Sequence, residues 1–404
     1  MSCKIEEFVP LEAGTVKIYT CGPSIYLAPH IGNYRTFLFE DILQRYLEYS
    51  GHRVVRALNI TDLEDKAIAQ AKKEGIPLKE MTDRNTKAFL SELMELGAEM
   101  PTFVPRASEC VDQAVALIKI LLEKGYAYWY KGDVYYDPLK FEGFGELAHI
   151  DMGKWPKKRR RFHKDTYPGD WWNKGDFILW RGHREGEEVY WDTELGKGRP
   201  AWNVQDPAMC TKYLGYKIDI YCGGIDNLVR HHDYNRAVVE GVTGEEFSRY
   251  WLHGAHLIVN GKKMSKSKGN IIYPKDLLGM GYDWGAIRFF LIYGYYRKRL
   301  NFKVDSFDRA FDRLQKLRDM VKRLEKNKGS DSPDPRAGKL VERMHENFRK
   351  KMDDDLHVKA AFDAVFEAVA KLISMEDRGM LGMTDSGRAL EALKAIDGVL
   401  RSIF

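Results

Sequence analysis

A chain of 404 residues with 44% apolar and 30% charged side chains has room for two or three domains with buried cores and is too apolar to be disordered. The net charge of +5 permits a polyanionic partner without requiring one, and no run is long and apolar enough to cross a bilayer, so no membrane role is expected. Cys3, Cys21, Cys110, Cys210 and Cys222 form no Cys-x-x-Cys pair and no even framework, which argues against a disulfide scaffold and for a reducing, cytoplasmic setting; the Glu-containing start gives no sign of a secretory leader.

Val16 to Cys21 alternates as a strand, and a Gly/Pro-containing loop then leads through His30 into a helix with Phe39, Ile42, Leu43, Tyr46 and Leu47 at helical spacing. His52 to Asn59 is a second apolar strand, so the chain opens as strand, loop, helix, strand, the start of a parallel doubly wound sheet. Helices are expected from about Asp62, Lys79 and Asp112. From about Tyr126 to Pro200 short aromatic strands such as Asp133 to Tyr136 and Phe177 to Trp180 alternate with Gly, Pro and charge clusters, the pattern of an insertion. Lys217 to Cys222 restores a buried strand, and helical runs resume near Leu228, Trp284 and Phe307. Asn327 to Arg336 is a linker, followed by three amphipathic helices bearing Leu340, Met344 and Phe348, then Phe362, Val365, Phe366, Val369 and Leu372, then Leu390, Leu393 and Leu400. The expected division is a first half of a nucleotide-binding domain over 1–125, an inserted α+β domain over 126–200, the second half over 201–304, and a helical region with a C-terminal bundle over 305–404.

Pro29-His30-Ile31-Gly32-Asn33 lies just ahead of a helix, where backbone N–H groups and the helix dipole receive phosphates, and Gly32 would let the backbone approach a flat purine; alone, the segment reads equally as a Pro-His turn with a capping Asn. Asn59-Ile60-Thr61-Asp62 and Cys222-Gly223-Gly224-Ile225-Asp226 each follow a strand, where open α/β sheets hold ligands, although Thr61 and Asp62 also suit a helix cap. Asp226 suits ribose hydroxyls. Lys263-Met264-Ser265-Lys266-Ser267 supplies ammonium groups of the kind that stabilise charge building at a phosphate.

These segments, taken in order with Gly22-Pro23, Arg35-Thr36, Asp65-Lys66, Asp176 to Trp180, Gly198-Arg199-Pro200, Trp202, His231-His232 and Met352 to Asp355, resemble the cysteinyl-tRNA synthetase family of class I aminoacyl-tRNA synthetases. The resemblance implies an α/β, Rossmann-like parallel sheet and activation of an amino acid by ATP and Mg²⁺ to an aminoacyl-adenylate. By the same resemblance His30 and Asn33 contact the ATP phosphates, Gly32, Gly224 and Asp226 the nucleotide, and Lys263 and Lys266 the pyrophosphate, while Cys21, Thr61, Trp202 and His231 line the amino-acid pocket.

Two departures bear on substrate. The family holds zinc through two cysteines, a histidine and a glutamate; here Cys21 and His231 match, but Asp206 replaces the second cysteine and Asn235 the glutamate. Cys21, Asp206 and His231 then form at best a weaker metal site, with Cys210, Cys222 or His232 as further donors, so zinc is in doubt and cysteine loses its usual basis for selection over serine. The family continues beyond the bundle into an anticodon-reading domain, whereas this sequence ends at Phe404, which leaves the acceptor open between a tRNA 3′ end and a small amine or carrier, as in the mycothiol-type cysteine ligases. A non-catalytic RNA-binding paralogue is the third reading. The run Lys157 to Arg161, near Trp155, Trp171 and Trp172, suits a single-stranded RNA end or a solvated loop. Cys3 and Cys110 carry no chemistry, and the sequence does not fix the oligomeric state.

Overall fold

The structure is a computed structural model that describes residues 4–154, 176–265, 268–329 and 332–404. In chain order the elements are β1 (Thr15–Thr20), α1 (Ile31–Tyr49), β2 (Arg53–Leu58), α2 (Asp65–Glu74), α3 (Leu78–Glu95), α4 (Val111–Glu123), β3 (Ala127–Tyr130), β4 (Asp133–Tyr136), β5 (Phe177–Gly182), β6 (Trp191–Thr193), β7 (Gly196–Pro200), α5 (Trp202–Tyr213), β8 (Ile218–Gly224), α6 (Asp233–Thr243), β9 (Ser248–Gly254), β10 (Leu257–Val259), β11 (Lys262–Lys263), α7 (Pro274–Gly279), α8 (Trp284–Ile292), β12 (Leu300–Phe302), α9 (Val304–Lys326), α10 (Pro335–Asp353), α11 (Val358–Asp377) and α12 (Met383–Leu400). They fall into two compact units, one of Met1–Ala28, Val54–Ala88 and Pro101–His253, the other of Pro29–Arg53, Phe89–Met100 and Gly254–Phe404.

The first unit is built on a sheet of order β2-β1-β8-β9. β1 and β8 run parallel, with Ile18 opposite Ile220 and Thr20 opposite Cys222, so the loops after both strands leave at one edge. That edge is where open parallel sheets place their ligands. The register continues one step past the strands, because the Cys21 N–H donates to the Cys222 carbonyl at 3.1 Å. Tyr19, Leu117, Ile118, Val204, Met209, Tyr221, Val238 and Phe247 share the core beneath. A second sheet of order β3-β4-β5-β7-β6 carries the inserted aromatic strands; it pairs antiparallel throughout.

The helix expected from Asp62 begins three residues later. Thr61 bridges Ser24 and Ile60 bridges Arg106, which keeps the segment extended, and the Asp62 carboxylate accepts from the Ser108 N–H at 3.0 Å and its hydroxyl at 2.6 Å instead of capping a helix. Residue types that favour caps here serve a partner distant in sequence.

In the second unit α1 buries the predicted face, and Arg288 on α8 forms a fully buried ion pair with Asp41 at 2.6 Å. The same guanidinium donates to the Leu96 and Leu400 carbonyls at 3.1 and 2.6 Å, satisfying a charge that could not stay buried alone. α9 to α12 form the C-terminal helices, with Met344, Phe348, Phe362, Val365, Val369, Leu372, Leu393 and Leu400 buried. α10 starts inside the expected linker because Pro335 takes its first position and the Asp334 carboxylate caps the Arg336 N–H at 2.8 Å. Asp355, the last of the Asp run, sits at φ 56° and accepts from the Tyr296 hydroxyl at 2.7 Å and from Arg297 Nη2 at 2.9 Å, partners that hold this left-handed backbone.

Candidate functional site

The residues singled out in the sequence form two groups, one within each unit. In the second unit His30 is the N-cap of α1. Its N–H donates to Asn33 Oδ1 at 3.0 Å while its Nδ1 accepts from the Asn33 N–H at 3.3 Å, a reciprocal capping box. The capping role and the chemical one therefore coincide: with Nδ1 used as acceptor, the ring proton lies on Nε2, which becomes an outward donor. Burial lowers the His30 pKa from its ordinary value, so this ring is neutral at pH 7. Gly32 leaves the ring room, since a Cβ there would sit 3.0 Å from His30 Cε1, 3.1 Å from Nδ1 and 3.7 Å from Met264 Cε. Met264 thus ties the two motifs together, and the Ile31 N–H donates to the Ile272 carbonyl at 3.0 Å. Lys263 is exposed on β11; Asn270 braces its loop by accepting from the Ser265 N–H at 2.9 Å and donating to the Lys263 carbonyl at 3.2 Å. Lys266 and Ser267 lie outside the described residues, as do Cys3, Trp155, Lys157 to Arg161, Trp171 and Trp172.

In the first unit Cys21, Asp206, His231 and His232 converge at the carboxyl edge of the parallel sheet, all buried. Cys21 follows β1, Asp206 projects from α5, and the histidines end a π-helical turn, Leu228–His232, that runs into α6. Asp206 Oδ2 lies 3.1 Å from Cys21 Sγ and 2.9 Å from His231 Nε2, and Cys21 Sγ lies 3.0 Å from His232 Nε2. The donor atoms of Cys21, His231 and His232 all lie within 4.8 Å of one another. Thiolate sulfur, carboxylate oxygen and imidazole nitrogen are zinc donors, so the residues present can chemically hold that ion. His232 was one of three candidate helpers in the sequence; Cys210 and Cys222 are not in this donor group.

Around these donors sits a second layer. His232 Nδ1 is 2.8 Å from His253 Nε2 on β9, and burial, with His253 and His231 beside it, pushes the His232 pKa well below the ordinary value. A Cβ at Gly223 would meet His232 Cε1 at 2.6 Å and Cys21 Cβ at 3.4 Å, so glycine there is a packing requirement. Asn59 Nδ2 donates to Asp206 Oδ1 at 3.1 Å and to Thr61 Oγ1 at 3.3 Å, while its Oδ1 accepts from the Gly22 N–H at 2.7 Å. Asn235 lies beside the cluster, its amide 3.4 Å from His231 Nε2; with its oxygen accepting from the Tyr221 hydroxyl at 3.0 Å, its nitrogen donates to the His231 and Asn203 carbonyls at 3.2 Å each. Trp202, 43% exposed, stacks on His231 with ring centroids 4.1 Å apart and planes 6° from parallel. Gly224 and the exposed Asp226 follow directly after Gly223. His253, Tyr221 and Asn59's carboxylate contact carried no sequence signal, because each depends on spatial neighbours rather than on spacing.

No helix of the described residues is long and apolar enough to cross a membrane. Residues 7–312 match the family model for the tRNA synthetases class I (C) catalytic domain. The chain is 38% identical over 403 residues to the cysteine–tRNA ligase of Chlamydia pneumoniae, covering 99% of this chain and 84% of that protein. It is 37% identical over 404 residues to the cysteine–tRNA ligase of Clostridioides difficile (strain 630), covering 98% of this chain and 85% of that protein. In fold it is similar to a Mycobacterium tuberculosis methionyl-tRNA synthetase in complex with methionyl-adenylate, with a TM-score of 0.69 at 15% identity over 96% of this chain and 90% of that one. A ternary LeuRS–tRNA–LeuAMS complex from Agrobacterium radiobacter K84 gives a TM-score of 0.68 at 11% identity, over 98% and 85% of the two chains. The α/β fold is thus that of a class I synthetase, and the chain belongs to the class I cysteinyl-tRNA synthetase family.

Proposed function

We propose that this chain activates cysteine or a close chemical relative with ATP and transfers the aminoacyl group to the 3′ end of a tRNA. In the first step a carboxylate oxygen of the amino acid attacks the α-phosphorus of ATP, the bond to pyrophosphate breaks, and the aminoacyl-adenylate forms. In the second a 3′-terminal ribose hydroxyl attacks the acyl carbon and AMP leaves. The ligase reading rests on family membership, and the relatives give no support to a small amine or carrier as acceptor.

The observation that carries the chemistry is the capping box, which fixes His30 with Nε2–H as a neutral donor at a helix N-terminus. Such a donor stabilises charge that grows on the phosphates as the bond to pyrophosphate breaks. Asn33 positions the ring through its backbone N–H and Oδ1, and its Nδ2 group is a further phosphate donor. Lys263 and Lys266 act on the departing pyrophosphate, and Mg²⁺ with ATP neutralises the remaining charge. Asp226 takes the ribose hydroxyls, with Gly224 beside it. Cys21, Thr61, Trp202 and His231 line the amino-acid pocket, Trp202 covering His231. A zinc ion held at Cys21, Asp206 and His231 would supply Lewis-acid attraction for a thiol side chain.

The test is ATP/pyrophosphate exchange with each amino acid in turn, followed by charging of tRNA. Exchange with cysteine and charging of its tRNA is the expected result. Exchange without charging of any tRNA would move the acceptor to an amine or carrier, and well-folded protein inactive with every amino acid would leave only a binding role.

A further inference from the structure

His30 and Asn33 start α1 while Lys263 lies on β11, and phosphate chemistry shared by the two motifs depends on how one is held against the other. We propose that Arg35 is the positioning residue that holds β11 against the start of α1, and that Asp355 locks the loop through which Arg35 acts. The relevance to catalysis rests on the synthetase reading; the clamp itself stands on geometry.

Arg35 follows Asn33 by two residues and is 5% exposed. Among the described residues no carboxylate pairs with its guanidinium. It donates instead to four backbone carbonyls, from Nε to Ala255 at 3.1 Å, from Nη1 to Leu291 at 3.4 Å, and from Nη2 to Tyr295 and Lys298 at 3.4 and 2.6 Å. Burial lowers its pKa to about 10, so the group stays charged at pH 7 and its donors must be met by protein. A rigid planar fork can grip several chain segments at once, which a lysine ammonium cannot reproduce. Ala255 precedes β10 by two residues, and Lys298 precedes β12 by two. β10 runs parallel to β12, with Ile258 opposite Asn301, and antiparallel to β11, with Ile258 opposite Lys263. Arg35 therefore holds both strands where they enter this small sheet, and Lys263 is one strand pairing away. The Ala255 N–H donates to the Tyr296 carbonyl at 2.8 Å and the Leu300 N–H to the His256 carbonyl at 3.2 Å, closing the same junction.

The loop that gives Arg35 its carbonyls is held again through its side chains. Between α10 and α11 the Asp355 carboxylate accepts from the Tyr295 hydroxyl, from the Tyr296 hydroxyl at 2.7 Å, and from Arg297 Nε and Nη2 at 2.5 and 2.9 Å. Tyr296 also stacks on Phe39, one turn beyond Arg35 on α1, with ring centroids 4.4 Å apart and planes 2° from parallel. Backbone and side chains of the loop are thus fixed by different partners, so a shift at either one is carried to β12, β10 and β11.

The test measures ATP/pyrophosphate exchange in the full chain, together with amide hydrogen exchange. Arg35→Lys keeps the charge and loses the fork; it should lower kcat by ~10- to 10²-fold, the cost of a reacting group displaced by about 1 Å, with KM for the amino acid nearly unchanged. A cycle with Lys263→Ala separates positioning from general weakening. Because Arg35 acts through β11, the double variant should exceed the rate given by the product of the single effects by ~3-fold or more. Asp355→Asn keeps a residue type suited to left-handed backbone but carries one acceptor oxygen in place of two. It should show the same split with a smaller fall, up to ~10-fold, and it keeps the proposal testable should Arg35→Lys misfold, which circular dichroism reports. Amide exchange should quicken across 255–263 and 295–302 in both variants. Multiplicative effects in the cycle, a KM change without a kcat change, or parental kcat in both folded variants would overturn the proposal. A parent inactive with every amino acid would refute the synthetase reading instead, and quickened amide exchange in the variants would then still uphold the clamp.

Discussion

Replacing Gly32 by Ala separates catalysis from stability. The position is the second residue of α1, where Ala in place of Gly favours the helix by up to about 1 kcal/mol. The added Cβ would lie 3.0 Å from His30 Cε1 and 3.1 Å from Nδ1, whereas carbon atoms pack best at about 3.5–4.0 Å. The imidazole must retreat by about half an ångström, and its 3.3 Å bond from the Asn33 N–H has no length to spare. Loss of a whole transition-state donor costs ~10²–10³ in kcat, and a displaced donor costs part of that, so Gly32→Ala should slow ATP/pyrophosphate exchange by about 10- to 10²-fold. His30→Ala sets the floor for comparison. Chemical denaturation should show the Gly32→Ala protein as stable as its parent or up to about 1 kcal/mol more so. Exchange at the parental rate, or a fall in activity matched by a fall in stability, would refute the assignment of His30 as the donor that Gly32 makes room for.

Three further outcomes are expected. Because burial lowers the His30 pKa, the neutral Nε2–H form persists as pH falls through the ordinary histidine value near 6.5; exchange limited by this group should hold past that point and decline only at lower pH, and a pH–rate profile in the parent and in His30→Ala checks it. Lys266→Ala should slow exchange by at least ~10²-fold without weakening amino-acid binding, and equal rates would remove its role. Asp41→Asn strips the counter-charge from fully buried Arg288 and should cost about 3–5 kcal/mol in denaturant unfolding; a loss under about 1 kcal/mol would show that the Leu96 and Leu400 carbonyls suffice.

Much of this was legible in the sequence, and the exceptions have physical reasons. The α1 and C-terminal helix faces followed from apolar spacing, because burial on one face leaves that period behind. His30, Gly32 and Asn33 could be read because phosphate chemistry and a helix start ask for the same residue types. Thr61 and Asp62 misled on where α2 begins, since cap-forming side chains bind Ser108 and strand partners equally well, and only the fold says which. The donor cluster was half legible. Matching positions to the family pattern marks Asp206 and Asn235 as changed and offers Cys210, Cys222 or His232 as further donors, but spacing alone does not say which of the three lies with Cys21 and His231. His232 follows His231 directly, and consecutive residues in a regular helix, about 100° apart, do not share a face, so no helical period marks the pair.

The π turn Leu228–His232 makes the cluster a matter of chain length as much as of side-chain identity. Donors on β1 and α5 are held by a sheet edge and a helix, but the two histidines depend on the widened winding of Leu228–His232 immediately before α6. Deleting one residue there would convert the turn to ordinary winding, rotate one ring away and carry Gly223 out of step with the ring it accommodates, while every donor residue remained in the sequence. Homologues that keep all four residue types but differ by one residue in this loop therefore need not share the site, and an alignment that absorbs such a gap would hide the difference.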